Sequence, residues 1–378
     1  MSKKNGKKKV TILDRVERIG NALPHPATIF LILCGVIVVL SAILAASGVS
    51  VTYEGINRTT NVVEEMTVTV NSLLSKEGVQ YLFKSAVSNF TGFAPLGTVL
   101  VALLGVGLAE GTGFISALLK KLVMSTPKRL ITVVVVLAGV LSSIASDAGY
   151  VVLIPLGAII FLSVGRHPMA GLAAAFAGVS GGFSANVMVG PTDSLLGGLT
   201  TEGAKLFDPN YVVGMEANWW FLIASTVLIT VIGTFVTEKI VEPRLGAYKG
   251  DATVEENSMT VTKEEKRGLK FAGIAALVIL VGIIALVGPA NGLLRGTDPG
   301  VQGILKSPFM DSLVFIIALY FGLVGIAYGV GAKTVKNDKD VMNLMGKSMA
   351  SMGSYIVLVF FAAQFVAYFS YTNFCLLY

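Results

Sequence analysis

The sequence predicts an all-α polytopic membrane protein. Of its 378 residues, 54% are hydrophobic and only 14% are charged, and the mean hydropathy of +0.76 is far above that of soluble globular chains. The apolar residues form blocks of about 20 or more residues, separated by polar connectors that contain glycine and proline. This pattern is typical of spanning helices, because the strands of a membrane β-barrel are about 10 residues long and alternate in polarity.

The apolar blocks define the predicted organisation of the chain. They lie near residues 26–47, 93–119, 130–163, 169–199, 217–238, 271–289, 309–331 and 347–370. We divide the chain into a basic N-terminal tail (1–25), a first repeat (26–238), a charged linker (239–270) and an incomplete second repeat (271–378). The first repeat comprises two helices, a hairpin at 130–163, a broken helix at 169–199 and a helix at 217–238.

The distribution of lysine and arginine predicts the orientation. The tail begins "MSKKNGKKK" and carries much of the formal net charge of +6. An anionic cytoplasmic leaflet accounts for this charge better than a nucleic-acid partner does, so the N-terminus is expected in the cytoplasm. The basic linker 239–270 is expected on the same side, and residues 48–92 on the opposite side. Two cysteines, Cys34 and Cys375, give neither a disulfide framework nor a metal-ligand cluster.

Block 130–163 does not fit a single straight span. A helix of its length would measure about 51 Å, against a hydrocarbon core of about 30 Å. Its centre reads "SSIASDAGY", and the expected positions of the flanking connectors require the block to enter and leave the membrane on one side. The sequence therefore predicts a re-entrant helical hairpin with Ser142, Ser143, Ser146 and Asp147 near its tip.

Block 169–199 is interrupted by helix-breaking residues. It contains "SGGFSANVMVGPTDSLLGG", in which glycines, a proline, an asparagine and an aspartate occur inside an apolar run. Non-helical backbone at membrane depth is tolerated only where it is buried in protein or lines a wet cavity. A hairpin and a discontinuous helix, each with an aspartate, are the pattern expected of a secondary transporter's binding site.

The candidate binding residues come from these two segments, and each has a purely structural alternative. Asp193 is the strongest candidate, because an ionisable group inside an apolar block is by default functional, although it could instead cap a helix end. Asp147 could pair with a backbone amide, Asn186 could satisfy a broken helix, and Glu110 could snorkel or cap. The complete set is Asp193, Asn186, Asp147, Ser146, Ser143, Gly190, Pro191 and Thr192, with Glu110 as a further possibility.

A short internal echo indicates inverted repeats. "KSAVS" at 84–88 recurs as "KSMAS" at 347–351, and the basic residues predict that the helices after them run in opposite directions. After the second copy the chain reaches "FFAAQFVAYFSYTNFCLLY" before any second hairpin or broken helix. We therefore expect an incomplete second repeat and a C-terminal truncation, and a non-transporting fragment stays open as an alternative.

Several motifs together resemble the p-aminobenzoyl-glutamate transporter (AbgT) family of bacterial inner-membrane carriers. They are "ILDRVERIGNALPHPATIF", "GFAPLGTVLVALLGVGLAEGTG", "SSIASDAGYVVLIPLGAIIF", "AGVSGGFSANVMVGPTDSLLGG" and "FFAAQFVAYF". The resemblance implies homodimers, each subunit with an outer frame and a transport core containing two opposed hairpins. It also implies two activities, uptake of p-aminobenzoyl-glutamate and export of sulfonamide antimetabolites, and a functional aspartate at Asp193. As a secondary carrier, the protein is expected to couple transport to H⁺ or Na⁺ and to need no other cofactor.

Functions from other classes are less well supported. "GVSGG" at 178–182 contains the Gly-x-Ser-Gly pattern of rhomboid-like intramembrane proteases. That chemistry needs a general-base histidine near Ser180, and the two histidines, His25 and His167, lie at block ends. A passive channel is a further alternative, although broken helices that carry an aspartate are more typical of a gated carrier.

Overall fold

The computed structural model describes residues 24–57, 62–145, 149–182, 185–205, 208, 210–248, 250, 261–297, 302–305 and 307–374. Within these ranges, six helices are long and apolar enough to cross a membrane, or seven if a bent pair is counted as one span. The chain forms two compact units, Met1–Phe93 with Ser354–Tyr378, and Ala94–Gly353. The predicted helical membrane fold is confirmed.

The elements of the first half, in chain order, are α1 (Pro26–Ala46), β1 (Ser50–Asn57), β2 (Val62–Thr69), α2 (Lys76–Thr91), α3 (Ala94–Gly111), α4 (Phe114–Met124), α5 (Ile131–Leu141), α6 (Ile154–Ser163), α7 (Pro168–Phe176) and α8 (Pro191–Ala204). They are followed by α9 (Trp219–Val236), α10 (Glu242–Leu245), α11 (Lys263–Val287), α12 (Gln302–Leu305), α13 (Pro308–Asp311), α14 (Leu313–Ala332), α15 (Asp338–Ser351) and α16 (Gly353–Tyr371).

The first unit contains α1, the β-hairpin, α2 and most of α16. The strands are antiparallel with Ser50 opposite Thr69, and neither they nor α2 had been predicted within the connector 48–92. Gln364 of α16 is buried, donates to the Ala86 carbonyl (2.7 Å) and accepts from Asn89 Nδ2 (2.9 Å). A buried amide that is satisfied on both sides fixes the register of α2 against α16.

The second unit is built around the hairpin and the broken helix. Its main core cluster includes Val106 of α3, Val136 of α5, Phe161 of α6 and Ala174 of α7. The helices α6 and α7 approach closely, since a Cβ atom on Gly171 would lie only 2.2 Å from the Gly157 carbonyl oxygen. Small residues at such contacts let membrane helices pack backbone to backbone.

The segment 130–163 consists of two short arms. Helix α5 has 11 residues and α6 has 10, so each arm is about 15 Å long, half of a hydrocarbon core. Arg166, just after α6, donates from Nη1 to the Thr132 hydroxyl in the first turn of α5 at 2.7 Å. The two ends of the segment therefore lie side by side, which is the geometry of a hairpin.

Two predicted boundaries differ from the structure. The block 93–119 is divided after Gly111, because Gly113 adopts a left-handed conformation (φ 87°) and a separate helix, α4, begins at Phe114. The linker 239–270 is helical at both of its ends. Helix α9 continues through a π-helical turn into α10, and α11 begins at Lys263, where Thr262 and Glu265 form a reciprocal capping box.

The two copies of the short echo occupy similar positions. "KSAVS" lies in α2 and "KSMAS" in α15, and each helix is followed within a few residues by an apolar helix, α3 and α16 respectively. This arrangement is consistent with inverted repeats, which stay a prediction.

Candidate functional site

The hairpin tip begins where α5 ends. A 3₁₀ turn, Ser142–Ala145, follows the helix, and the buried Ser142 hydroxyl donates to the Gly139 carbonyl at 2.6 Å. Ser143 instead directs its hydroxyl away from its own helix, to the carbonyl oxygen of Ala185 at 3.3 Å. Ser146 and Asp147 lie outside the described residues. Ser143 is thus the predicted tip residue that the structure places against the broken helix.

The broken helix has two helical parts, and the described residues between them, 185–190, are not helical. Helix α7 passes into a π-helical turn, Ala177–Gly181, and α8 begins only at Pro191. Proline suits the first position of a helix, because its φ angle is preset and its missing N–H would have had no intrahelical partner. The break therefore follows directly from the "GP" pair that precedes Thr192 and Asp193.

Asn186 forms hydrogen bonds with the non-helical backbone at this break. Its side chain is only 3% exposed, and Oδ1 accepts from the amides of Val187 (2.8 Å) and Met188 (3.2 Å). Its Nδ2 donates to the Ser143 hydroxyl at 3.0 Å and to the Leu141 carbonyl at 3.4 Å. One amide thus stabilises the loop and joins it to the hairpin tip, which unites two predicted site residues that are distant in sequence.

Asp193 lies in the first turn of α8. Its Oδ2 accepts from the Gly190 amide at 2.7 Å, and its own amide donates to the Gly190 carbonyl at 3.1 Å. The side chain is partly buried, and the positive end of the helix dipole favours a carboxylate at this position. The structure therefore places the carboxylate, Gly190 and the partly buried Thr192 at the N-terminus of a half-helix beside the Asn186 loop.

Other residues complete the surroundings. Trp219, the first residue of α9, donates from Nε1 to the Val187 carbonyl at 2.9 Å, and Ser194 in α8 is 2% exposed. Sequence reasoning missed both, although the "WW" pair at the start of an apolar block was a possible signal. Glu110 lies in the last turn of α3, on an element that does not form the Ser143–Asn186 contact.

A charged cluster holds the base of the hairpin. Arg166 makes a bidentate ion pair with Glu242 of α10, at 2.7 Å from Nε and 2.6 Å from Nη2. Its guanidinium carbon also lies 4.2 Å from the centroid of the Phe161 ring. This fork geometry is specific to arginine.

The protease alternative fails on geometry. Ser180 and His167 lie at opposite ends of the α7 segment, about 20 Å apart along the helix axis. The Nδ1 atoms of His25 and His167 each accept a backbone amide at 3.2 Å, from Ala27 and Met169 respectively, so both histidines cap helices. Neither forms the base and nucleophile pair that acyl transfer requires.

A model of the AbgT putative transporter family matches residues 11–378. The chain belongs to the AbgT family. Over 358 residues it is 42% identical to the p-aminobenzoyl-glutamate transport protein of Escherichia coli (strain K12). The matched region makes up 95% of this chain and 68% of the relative. The resemblance inferred from the motifs is thereby confirmed.

Two solved structures of transporters have the same fold. The Alcanivorax borkumensis YdaH transporter has a TM-score of 0.84 at 44% identity, over 94% of this chain and 72% of its own. Neisseria gonorrhoeae MtrF, described with a class of antimetabolite efflux pumps, has a TM-score of 0.88 at 47% identity, over 96% of this chain and 72% of its own. This AbgT member is a multi-pass membrane transporter and not an enzyme, and the comparisons favour transport over the non-transporting alternative.

Proposed function

We propose that the protein is a secondary active carrier of p-aminobenzoyl-glutamate or related aryl-amine carboxylates, of sulfonamide antimetabolites, or of both. The E. coli relative is described as a transporter of p-aminobenzoyl-glutamate and MtrF is described with antimetabolite efflux pumps, which supports these two substrate classes. Coupling is to H⁺ or Na⁺. The carrier works as a homodimer in a bacterial inner membrane with its N-terminus in the cytoplasm.

The observation that carries the proposal is the contact between Ser143 and Asn186. It joins the hairpin tip to the break between α7 and α8, at 3.0 Å. A half-helix N-terminus attracts a substrate carboxylate, and a nearby carboxylate can hold a coupling cation or an aryl amine. In this proposal the N-terminus of α8 attracts the substrate carboxylate, and Asp193 holds the coupling cation or the aryl amine.

The deciding experiment measures uptake of labelled p-aminobenzoyl-glutamate in membrane vesicles under imposed pH or sodium gradients. Asp193→Asn keeps the size of the side chain but removes its charge, so we expect gradient-driven flux to fall at least about tenfold, an effect of about 1.4 kcal/mol on the rate-limiting barrier. Asp208→Asn is the matched control, because Asp208 is exposed on a loop, and its flux should stay at the wild-type level.

The gradient that drives accumulation identifies the coupling ion. Wild-type coupled flux in Asp193→Asn would remove this residue from the proposed coupling site. Saturable transport of a labelled sulfonamide in the export direction, without uptake of p-aminobenzoyl-glutamate, would restrict the function to export.

A further inference from the structure

Side chains hold both backbone polar groups of Val187 in the helix break. The Val187 amide donates to Asn186 Oδ1 at 2.8 Å, and the Val187 carbonyl oxygen accepts from Trp219 Nε1 at 2.9 Å. Non-helical backbone at membrane depth needs such partners, because unpaired polar groups are costly in lipid. The first bond comes from within the loop, whereas the second comes from another helix, α9. The position of the loop therefore depends on α9 as well as on the hairpin.

Helix α9 is itself held by its neighbours. Shortly before its first turn, Val213 donates from its amide to the Thr201 hydroxyl of α8 at 2.9 Å. Further along the helix, a Cβ atom on Gly233 would lie only 2.8 Å from Val136 Cγ1 of α5, so the two helices pack closely. The start of α9 is thus tied to α8, and its second half lies against the first arm of the hairpin. The bond from Trp219 connects the loop to this fixed helix.

The neighbouring Trp220 distinguishes this contact from ordinary anchoring at a membrane surface. Tryptophans are common at the ends of membrane helices, because their rings favour the boundary between lipid and water. Trp220 fits that description, since it is 79% exposed, whereas Trp219 is 37% exposed and directs its N–H to the protein. The centroids of the two rings lie 5.8 Å apart. Trp220 is therefore a control of the same size on the same turn of helix.

We propose that Trp219 is a positioning residue for transport, which sets the geometry of residues 186–188 through the Val187 carbonyl. These residues lie between the hairpin tip and the α8 turn that carries Asp193, so a displaced loop changes the relative position of the two proposed binding elements. The assignment rests on the proposed function, because it requires the solute to bind beside this loop. Solute binding then alters the surroundings of the Trp219 ring and leaves those of Trp220 unchanged.

The sequence allows an optical test, because its 378 residues contain two tryptophans, Trp219 and Trp220. Trp220→Phe leaves Trp219 as the fluorescent reporter at the loop, and Trp219→Phe leaves Trp220 as the matched reference. Both purified proteins are titrated with p-aminobenzoyl-glutamate and with sulfanilamide, under excitation at the red edge of the tryptophan band, where tyrosine does not absorb. We expect a saturable change in the emission of Trp219. Trp220 should show only the non-saturating attenuation that an absorbing solute causes.

Transport kinetics test the hydrogen bond itself. Trp219→Phe keeps an aromatic ring but removes the N–H donor, so we expect KM for labelled p-aminobenzoyl-glutamate to rise about fivefold, with kcat per inserted molecule within about twofold of wild type. Trp220→Phe should leave both values unchanged. A purely structural role would lower the Tm and the amount of inserted protein without this selective change in KM.

The proposal is wrong if the two variants have equal KM values, if both tryptophans give saturable changes of the same size, or if Trp219 gives none with either solute. Wild-type protein that takes up no p-aminobenzoyl-glutamate, while sulfanilamide still changes the Trp219 emission saturably, would retain the positioning role and overturn only the proposed uptake.

Discussion

At the scale of single residues, Asn186 combines two tasks that different side chains usually perform. Its oxygen satisfies two backbone amides of the helix break, and its nitrogen reaches the hairpin tip. Ser143 takes part only in the contact between the segments, through Asn186 and the Ala185 carbonyl. Mutating each residue in turn therefore separates the effect of the loop hydrogen bonds from the effect of the contact between the two segments.

We predict that Asn186→Ala costs more stability than Ser143→Ala. The first change removes four side-chain hydrogen bonds and the second removes two, each worth about 0.5–1.5 kcal/mol. Thermal unfolding of purified protein and uptake per inserted molecule measure both effects.

The control for this pair is Asn89→Ala, which breaks an Asn–Gln contact in the other unit and should lower the Tm without changing the substrate KM. An Asn186→Ala protein with the stability and KM of the wild type would show that the loop needs no side-chain acceptor.

At the scale of elements, the hairpin is held at both ends. Its tip contacts the broken helix through Ser143, and its base is fixed by Arg166, which contacts Thr132 of α5, Phe161 of α6 and Glu242 of α10. The two arms are only about 15 Å long each, so contacts at both ends hold the hairpin against the broken helix and α10.

Replacing Arg166 by glutamine should lower the free energy of unfolding by about 1–3 kcal/mol, because charge-assisted hydrogen bonds from a partly buried guanidinium are lost. Arg166→Lys should recover only part of it, since an ammonium group cannot form the bidentate pair. Lys120→Gln is the control: its pair with Glu265 is a single 3.5 Å contact, and its loss should change stability by less than about 1 kcal/mol. Equal Tm values for Arg166→Lys and wild type would show that the positive charge at this position, and not the bidentate geometry, stabilises the fold.

At the scale of the whole molecule, the hairpin predicts on which side of the membrane the neighbouring segments lie. If the segment 130–163 is re-entrant, both of its ends face the cytoplasm. Single cysteines at Ser125 and Ser163, both exposed, should then react with an impermeant reagent in inside-out vesicles and stay protected in right-side-out vesicles. Gly165 is a poorer probe, because its φ of 77° favours glycine.

A full span would give a different labelling pattern. Labelling of Ser163→Cys from the outside, with Ser125→Cys labelled from the inside, would replace the hairpin by a full crossing and reverse the orientation of α7 and α8.

The sequence by itself determined the class of protein, the rough limits of most apolar segments and the places where helices break. These properties are local: hydropathy decides what enters the bilayer, and glycine or proline decides where a helix cannot continue. Pro191 and the "SSIASDAGY" segment could therefore be recognised without a structure. The β-hairpin, α2 and the helical ends of the linker were missed, because their polar sequences give only weak local signals.

Only the tertiary structure decided which of these local features meet. Ser143 and Asn186 are 43 residues apart, and Arg166 and Glu242 are 76 apart, so no periodicity in the sequence indicates that either pair is in contact. The direction of the α8 face with Ser194 was equally undetermined, because Asp193 and Ser194 are adjacent in sequence but point about 100° apart around the helix. Packing of α7 on the hairpin brought the first pair into contact, and the tertiary fold around α8 buried Ser194 and left Asp193 partly exposed.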